Sequence, residues 1–325
     1  MKIKLLNKIN VQYVDVLIIG GNLTGLSTAL NLDSNLKTMI VDKSFIGNNL
    51  TNTTQILNIN NFNCQTISNI FPLKYIKMYS DFLAETIDII KNNIIKNNIK
   101  CNLTVKEVSE IGDINYFSNL SYKNIKTMFN LKKYVLGLKK QCLQKNIIIK
   151  ECTKVLNVRK SKGKYKCKTN KGIIIASKVV VACHDFNNLL PLSSFLKVYK
   201  CNNKLFTNDG LPYIGCFKAG DNTLLVSYGY NNHVVQNSIL ASSILSDLIM
   251  EKENFLVPLL SPNRHTSIYN LKNIPINVFN NLKNFISNNI IFNKMNVKPI
   301  SIALKKRNIN FPSVGLVLKE RVKVK

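Results

Sequence analysis

The sequence predicts an α/β fold: a parallel sheet extended by a β-meander, with a smaller α+β domain beside it. Two observations predict this fold. A short apolar strand, a glycine-containing turn, an amphipathic helix and a second strand follow one another over residues 14–42. Short apolar runs separated by turn residues then occupy residues 147–183. Strands that alternate with helices favour a parallel sheet, whereas closely spaced runs divided by Gly or Asn favour hairpins.

The first unit is the most informative part of the chain. Val14–Ile19 is a nearly continuous apolar run, as expected for a strand buried on both faces of a parallel sheet. Apolar residues then recur with the helical period from Leu23 to Leu32, and a second strand is predicted over Lys37–Val41. The second strand ends at Asp42. A strand, turn, helix and strand within about 30 residues form the βαβ unit of a Rossmann-like, dinucleotide-binding fold.

The later helices and strands are predicted from the helical period of apolar residues and from short β-like apolar runs. Amphipathic helices are predicted over Tyr79–Asn98, Leu131–Lys145, Ser238–Met250 and Val278–Asn288. Strands are predicted over Ile147–Lys150, Val155–Arg159, Tyr165–Thr169, Ile173–Ala176, Lys178–Cys183 and Leu224–Tyr228. Gly163 and the Asn-Lys-Gly turn at 170–172 separate three of these strands, which predicts a meander.

Length and composition exclude several classes of protein. A chain of 325 residues has room for about two domains, and its 46% apolar and 19% charged composition excludes wholesale disorder. No stretch has the roughly 18 apolar residues of a membrane span. The N-terminus, interrupted by Lys4 and Lys8, lacks the features of a secretory signal. We therefore expect a cytoplasmic protein with no transmembrane segment.

The net charge of +28 suggests nucleic acid or an anionic surface as a partner. The chain also has 48 Asn residues, and only four of its basic residues are Arg. The excess of Lys is therefore part of a general enrichment in Lys and Asn. The charges look scattered along the sequence, and no basic run is interleaved with aromatic residues. A solvated lysine surface is the favoured interpretation. Polyanion binding is the alternative, with Lys305–Lys325 as its best candidate segment.

Cysteine and histidine patterns predict neither disulfides nor a metal site. The eight cysteines form no CxxC pair and accompany no secretion signal, which indicates reduced thiols. The three histidines lie far apart, without metal-ligand spacing beside cysteines or carboxylates.

The turn after the first strand carries a recognisable chemical pattern. In a GxGxxG turn the first glycine makes the tight turn, the second admits the pyrophosphate, and the third lets the helix pack on the strand. Gly20, Asn22 and Gly25 occupy these positions, so the central glycine is replaced. Asp42 lies where an acidic residue accepts hydrogen bonds from a ribose hydroxyl. The helix N-terminus would supply amide donors to phosphate.

Four stretches resemble the D-amino-acid-oxidase-like family of FAD-dependent oxidoreductases, nearest the bacterial branch that usually carries a C-terminal Rieske domain. They are VDVLIIGGNLTGLSTALNL with MIVDKSFIGNNLTNTTQI, MFNLKKYVLGLKKQCLQKNIIIKECTKVLNV with YKCKTNKGIIIASKVVVACH, TNDGLPYIG, and SYGYNNHVVQNSILASSILSDLIMEKENFLVPLLSPNR. Together they span about two thirds of the chain. The first and third are the specific ones.

The resemblance implies FAD as the cofactor and places it along the chain. The pyrophosphate would lie at the turn, the ribose beside the acidic residue, the adenine near two apolar residues and the flavin ring against later glycines and threonines. The residues implied for the pyrophosphate are Gly20, Gly21, Asn22, Thr24 and Gly25, and those for the ribose are Asp42 and Lys43. Those implied for the adenine are Val155 and Ala182, and those for the flavin ring are Thr53, Thr54, Gly215 and Gly229.

The resemblance also implies a domain division. Residues 11–60 together with 130–260 would form the FAD-binding domain, 61–129 a reduced substrate or cap domain, and 261–325 a basic, Asn- and Lys-rich extension. Three departures accompany it. First, the family has glycine at the position of Asn22 and further glycines in the turn after Gly229. Second, the segment before TNDGLPYIG is much shorter here than in relatives. Third, the Cys and His ligands of a Rieske cluster are missing after Cys216 and His265.

Two functions remain open. The first is an FAD-dependent oxidoreductase that oxidises a CH–NH or CH–OH bond of a small-molecule substrate. The second is a degenerate, non-catalytic relative that acts as a scaffold or binds a partner through its basic tail. Catalytic residues are not identified: His184, His233 and Tyr213 are acid/base candidates by residue type alone. The absence of Arg between Arg159 and Arg264 argues against a substrate carboxylate clamp.

Overall fold

The computed structural model describes residues 10–57, 73–107, 125–183, 198–201, 204–207, 209–219, 222–231 and 233–264. All of them lie in the first of two units, Met1–Asn270 and Leu271–Lys325. The predicted helix Val278–Asn288, the segment Lys305–Lys325, His184 and His265 lie outside the described residues. The domain division predicted from the sequence stays a prediction.

The described helices are α1 (Leu23–Asn31), α2 (Leu73–Lys96), α3 (Leu131–Gln144), α4 (Val234–Ile249) and α5 (Val257–Leu260). The strands are β1 (Val11–Ile19), β2 (Thr38–Val41), β3 (Thr54–Leu57), β4 (Thr104–Glu107), β5 (Ile125–Asn130), β6 (Ile148–Lys150), β7 (Val155–Ser161), β8 (Lys164–Thr169), β9 (Gly172–Val181), β10 (Val198–Cys201), β11 (Lys204–Thr207), β12 (Tyr213–Ala219) and β13 (Asn222–Tyr228).

The main sheet confirms the predicted α/β class. Its strand order is β12-β13-β9-β1-β2-β6, and every neighbouring pair is parallel except β12 with β13. The antiparallel strands β7 and β8 attach to β9 and form the predicted meander. The chain leaves β1 for β2 on one side, and β9 lies on the other side of β1. The direction of the connections therefore reverses between β1 and β9.

Two hydrophobic cores lie on opposite faces of this sheet. On one face, α1 packs against α3 and α4, with Leu26, Leu138 and Leu240 fully buried. On the other face, the inward side chains of the meander, such as Cys167 and Ile174, pack over the sheet. A separate antiparallel sheet has the order β3-β5-β4, and β10 pairs with β11.

Several elements differ from the sequence predictions. The two predicted runs Ile173–Ala176 and Lys178–Cys183 are one strand, β9, because Ser177 is a polar residue at an exposed position and does not interrupt the ladder. Helix α2 begins six residues earlier than predicted and ends before Asn98, which has a φ of 47°. The short strands β3, β4 and β5 were not predicted, since their few residues show no sustained alternation.

None of the described helices is both long and apolar enough to cross a bilayer. In the described part of the chain, the cysteines at positions 101, 142, 152, 167, 183 and 216 form no disulfide. Within the same residues, no three His, Cys, Asp or Glu side chains are grouped so that they could hold a metal ion.

Candidate cofactor site

The turn between β1 and α1 contains two close backbone approaches that require glycine. Gly20 has a φ of 118°, and a Cβ atom there would lie 2.9 Å from the carbonyl oxygen of Ala182. A Cβ atom on Gly25 would lie 1.9 Å from the carbonyl oxygen of Gly20. Neither position accepts a side chain unless the backbone moves. The turn therefore holds the start of α1 directly against the end of β1, as the first and third glycines of a dinucleotide fingerprint do.

Asp42 ties this turn to the end of β2. Its Oδ2 atom accepts a hydrogen bond of 2.8 Å from the Gly21 amide. Its Oδ1 atom accepts from the amide and the hydroxyl of Ser44, over 2.8 and 3.0 Å. A carboxylate has about four acceptor sites, so roughly one is left for a ligand hydroxyl. Lys43, the next residue, is exposed at the same edge.

Val155 and Ala182, the residues placed near an adenine by the resemblance, come to this edge of the sheet as well. The Thr153 amide donates to the carbonyl oxygen of Asp42 over 2.6 Å, which puts the start of β7 beside the end of β2. Ala182 follows β9, and its amide donates to the carbonyl oxygen of Ile19 over 2.9 Å. The side chains of Val155 and Ala182 are buried in the two cores.

The side-chain amide of Asn22 is hydrogen-bonded on both sides of the crevice after β1. Its Oδ1 atom accepts a hydrogen bond of 3.0 Å from the Gly25 amide, which caps α1. Its Nδ2 atom donates to the carbonyl oxygen of Ala182. The side chain thus runs from the end of β1 to the end of β9, where the connections reverse and where open α/β sheets bind ligands. Asn22 occupies the space that a central glycine leaves open.

The first turn of α1 still offers donors to an anion. The amides of Leu23 and Thr24 have no acceptor among the described residues. No acidic residue lies in this turn. The N-terminus of a helix carries a partial positive charge, so these amides form a natural binding place for phosphate oxygens.

Tyr230 is a site residue that the sequence patterns did not reveal. It follows β13, and its hydroxyl shares a buried hydrogen bond of 2.8 Å with Oγ1 of Thr24. Burial raises the pKa of Tyr230 to about 12, so the hydroxyl stays neutral at physiological pH. Gly229, before it, has a φ of 74°, and a Cβ atom there would lie 2.5 Å from Cγ2 of Thr207. The Gly229 turn therefore contacts the start of α1 through Tyr230.

Three other predicted residues are not joined to the turn. Thr53 is exposed and shares a hydrogen bond of 2.8 Å with the Thr51 hydroxyl, and Thr54 begins β3 in the second sheet. Gly215 lies in β12 with a φ of 136°, and a Cβ atom there would lie 3.4 Å from Pro262. No hydrogen bond between described residues links these three to the β1–α1 turn. Their contact with a flavin ring stays a prediction.

A buried ion pair holds the loop before β12. Arg264 donates to both carboxylate oxygens of Asp209, over 2.8 and 2.9 Å, and the two side chains are 3% and 0% exposed. The guanidinium also lies 3.9 Å from the ring centre of Tyr213. Its remaining donors bind the carbonyl oxygens of Leu211, Pro212 and Leu260. All the donors of Arg264 are thus used within the chain, and it is not available to clamp a substrate carboxylate.

The acid/base candidates gain little support from the structure. Tyr213 is buried beneath the Arg264 guanidinium. His233 is half-buried and directly precedes α4 without capping it through its side chain. His184 lies outside the described residues. No catalytic residue is assigned.

The comparisons with known proteins concern the fold. No protein-family model and no curated protein matches the chain. Glycine oxidase from Geobacillus kaustophilus is similar in structure, with a TM-score of 0.55 and 14% identity over 78% of this chain and 99% of that one. Glycine oxidase from Bacillus cereus has a TM-score of 0.52, 14% identity and coverages of 78% and 99%. NikD, an unusual amino acid oxidase of nikkomycin biosynthesis, has a TM-score of 0.50, 10% identity and coverages of 77% and 98%. The chain therefore has the fold of the D-amino-acid-oxidase-like oxidoreductases, as the sequence resemblance predicted.

Proposed function

We propose that this chain binds FAD and acts as an FAD-dependent oxidoreductase that oxidises a CH–NH or CH–OH bond of a small molecule. The observation that carries the proposal is the turn from Gly20 to Gly25, which has the backbone of a dinucleotide-binding crevice at the carboxyl edge of a parallel sheet. The fold shared with amino acid oxidases supports the reaction class.

The residues of the turn fit a diphosphate once the Asn22 side chain moves aside. The amides of Leu23 and Thr24, aided by the α1 dipole, would bind the phosphate oxygens, and the remaining acceptor site of Asp42 would take a ribose hydroxyl. Asn22 gives up two hydrogen bonds when it moves. The replaced glycine therefore weakens the site without closing it.

Bound FAD would supply the two-electron oxidation that protein side chains cannot perform. The contribution of the chain is to bind and orient. The buried hydrogen bond between Thr24 and Tyr230 fixes the turn after β13 against α1. The pair of Asp209 and Arg264 fixes the loop that leads into β12. These contacts restrain the Gly229 turn and the loop before the strand of Gly215, the two glycines that the resemblance places beside the flavin.

One observation favours a second candidate, the non-catalytic scaffold. Asn22 and Asp42 together satisfy the amides of Gly21 and Gly25 and the carbonyl oxygen of Ala182 within the chain. The turn is thus internally bonded without any ligand. A relative that no longer binds FAD would gain stability from these contacts.

A visible absorption spectrum separates the two candidates. The full chain is purified, incubated with FAD and passed through a gel-filtration column. The oxidoreductase proposal expects flavin absorbance close to one FAD per chain, together with a higher melting temperature. The scaffold expects a colourless protein whose melting temperature FAD does not change. As a control, Asn22→Asp keeps a capping side chain but puts negative charge beside the diphosphate, so it should lose FAD.

A further inference from the structure

The outward face of the meander carries a ladder of cations. Lys164, Lys166 and Lys168 of β8 alternate with buried residues, and all three are exposed. Side chains two residues apart on one face of a strand lie about 7 Å from each other. Exposed Arg159 of β7 is the cross-strand partner of Lys166. These four residues are called the basic ladder below.

The charge of the basic ladder is not balanced within the described part of the chain. Like charges directly opposite each other destabilise a pair of strands, and Arg159 and Lys166 are such a pair. None of the four ladder residues forms an ion pair with a described carboxylate. The sequence has no acidic residue between Glu151 and Asp185. An external anionic partner would remove this repulsion.

An exposed apolar strip lies beside the ladder on the same face. Lys166 pairs with Ile175 of β9, and Ile175 pairs in turn with Tyr13 of β1. In the next cross-strand row of this face, Lys168 pairs with Ile173 and Ile173 pairs with Val11. Tyr13 is 60% exposed and Val11 is 40% exposed. One continuous sheet face thus combines a cationic half on β7 and β8 with an apolar half on β9 and β1.

We propose that this face docks on an anionic lipid bilayer. The ladder lysines would bind headgroup phosphates, and the apolar strip would enter the boundary between headgroups and acyl chains. Tyrosine is a preferred residue at that depth. Single-stranded nucleic acid is less well matched, because it binds to platforms of several aromatic residues. In the described rows, Tyr13 is the aromatic residue of this face and its neighbours are aliphatic.

The structure provides a matched control on the other side of the sheet. The meander packs over one face of the sheet, and α3 packs over the opposite face. Lys133 and Lys140 of α3 are exposed. A double charge reversal in α3 changes the net charge as much as one in the ladder, but it leaves the proposed docking face intact.

The test is cosedimentation of the full chain with vesicles of phosphatidylcholine, with and without phosphatidylserine. We expect binding to the anionic vesicles alone, weakening as salt is raised. Lys166→Glu with Lys168→Glu should lower the apparent affinity at least about tenfold, whereas Lys133→Glu with Lys140→Glu should retain most of it. Tyr13→Ser should weaken binding at unchanged charge.

Three results would overturn the proposal. The first is binding to neutral vesicles as strong as binding to anionic ones. The second is an equal loss of vesicle affinity in the ladder variant and the α3 variant. The third is binding of a single-stranded RNA oligonucleotide by a chain that does not bind vesicles. The last result would assign the ladder to nucleic acid. Circular dichroism of the variants checks that they are folded, and the exposed positions of these lysines make this the expected result.

Discussion

Replacing Asn22 with glycine should destabilise the free protein and tighten FAD binding at the same time. The side chain gives the free protein two hydrogen bonds, to the Gly25 amide and to the Ala182 carbonyl oxygen. A glycine cap costs only a few tenths of a kcal/mol, and a lost hydrogen bond costs about 1 kcal/mol. Asn22→Gly should therefore lower the free energy of unfolding by about 1 to 1.5 kcal/mol.

The effect on binding has the opposite sign. FAD must displace both hydrogen bonds of Asn22 in the native chain and neither in the variant. Because these are the same contacts whose loss destabilises the free variant, sparing them strengthens binding by about 1 to 1.5 kcal/mol, which is about tenfold in Kd. Serine at position 22 keeps a cap on a shorter side chain. Asn22→Ser should thus lose about 1 kcal/mol of stability, because its side chain does not reach the Ala182 carbonyl oxygen, and bind FAD with intermediate affinity.

Urea unfolding without ligand and quenching of FAD fluorescence measure the two quantities separately. A variant that loses stability but binds FAD no more tightly than the native chain would refute the reasoning. It would show that the Asn22 side chain does not lie in the path of the diphosphate.

Three further predictions concern contacts around the site. Gly25→Ala should lower the free energy of unfolding by about 3 kcal/mol or more, since its Cβ atom would lie 1.9 Å from a carbonyl oxygen. Gly163→Ala is the control: no atom lies within 4 Å of its Cβ position, so it should cost only about 1 kcal/mol for its φ of 77°. Equal losses of stability in urea unfolding would contradict this prediction. Arg264→Met should cost about 3 to 5 kcal/mol by leaving the carboxylate of Asp209 buried without its cation, and adding Asp209→Leu should recover part of the loss. Burial raises the pKa of Tyr230 from 10.0 to about 12, so its contribution to stability is complete below pH 10.0 and is lost as the pH rises towards about 12; Tyr230→Phe should make unfolding less sensitive to pH in that window, and an unchanged slope would argue against a buried hydroxyl.

The features that the sequence predicted well are local. The βαβ unit over residues 14–42 rests on apolar periodicity and on a turn whose geometry is set within a few residues. Gly20, Gly25 and Asp42 belong to that unit, which is why their positions could be inferred before the fold was known. The long strand β9 was divided in two because Ser177 looks like a break in a one-dimensional pattern, although it lies at an exposed position of a continuous ladder.

The features that the sequence did not predict depend on distant residues. Thr24 and Tyr230 are 206 positions apart, and Asp209 and Arg264 are 55 apart. Neither pair has a local signal, because only the packed fold brings the side chains together. The basic ladder is an intermediate case: the alternation of Lys164, Lys166 and Lys168 is visible in the sequence, but only the strand register puts Arg159 opposite Lys166.

Hydrogen–deuterium exchange of the full chain, with and without FAD, tests the central claim most directly. If the diphosphate binds at the β1–α1 turn, FAD should slow exchange of the amides of residues 23–26 more than that of any other segment. ADP, which carries the same diphosphate without the flavin, should protect the same amides at higher concentration. Protection confined to another part of the chain, or none at FAD concentrations that saturate binding, would contradict the account.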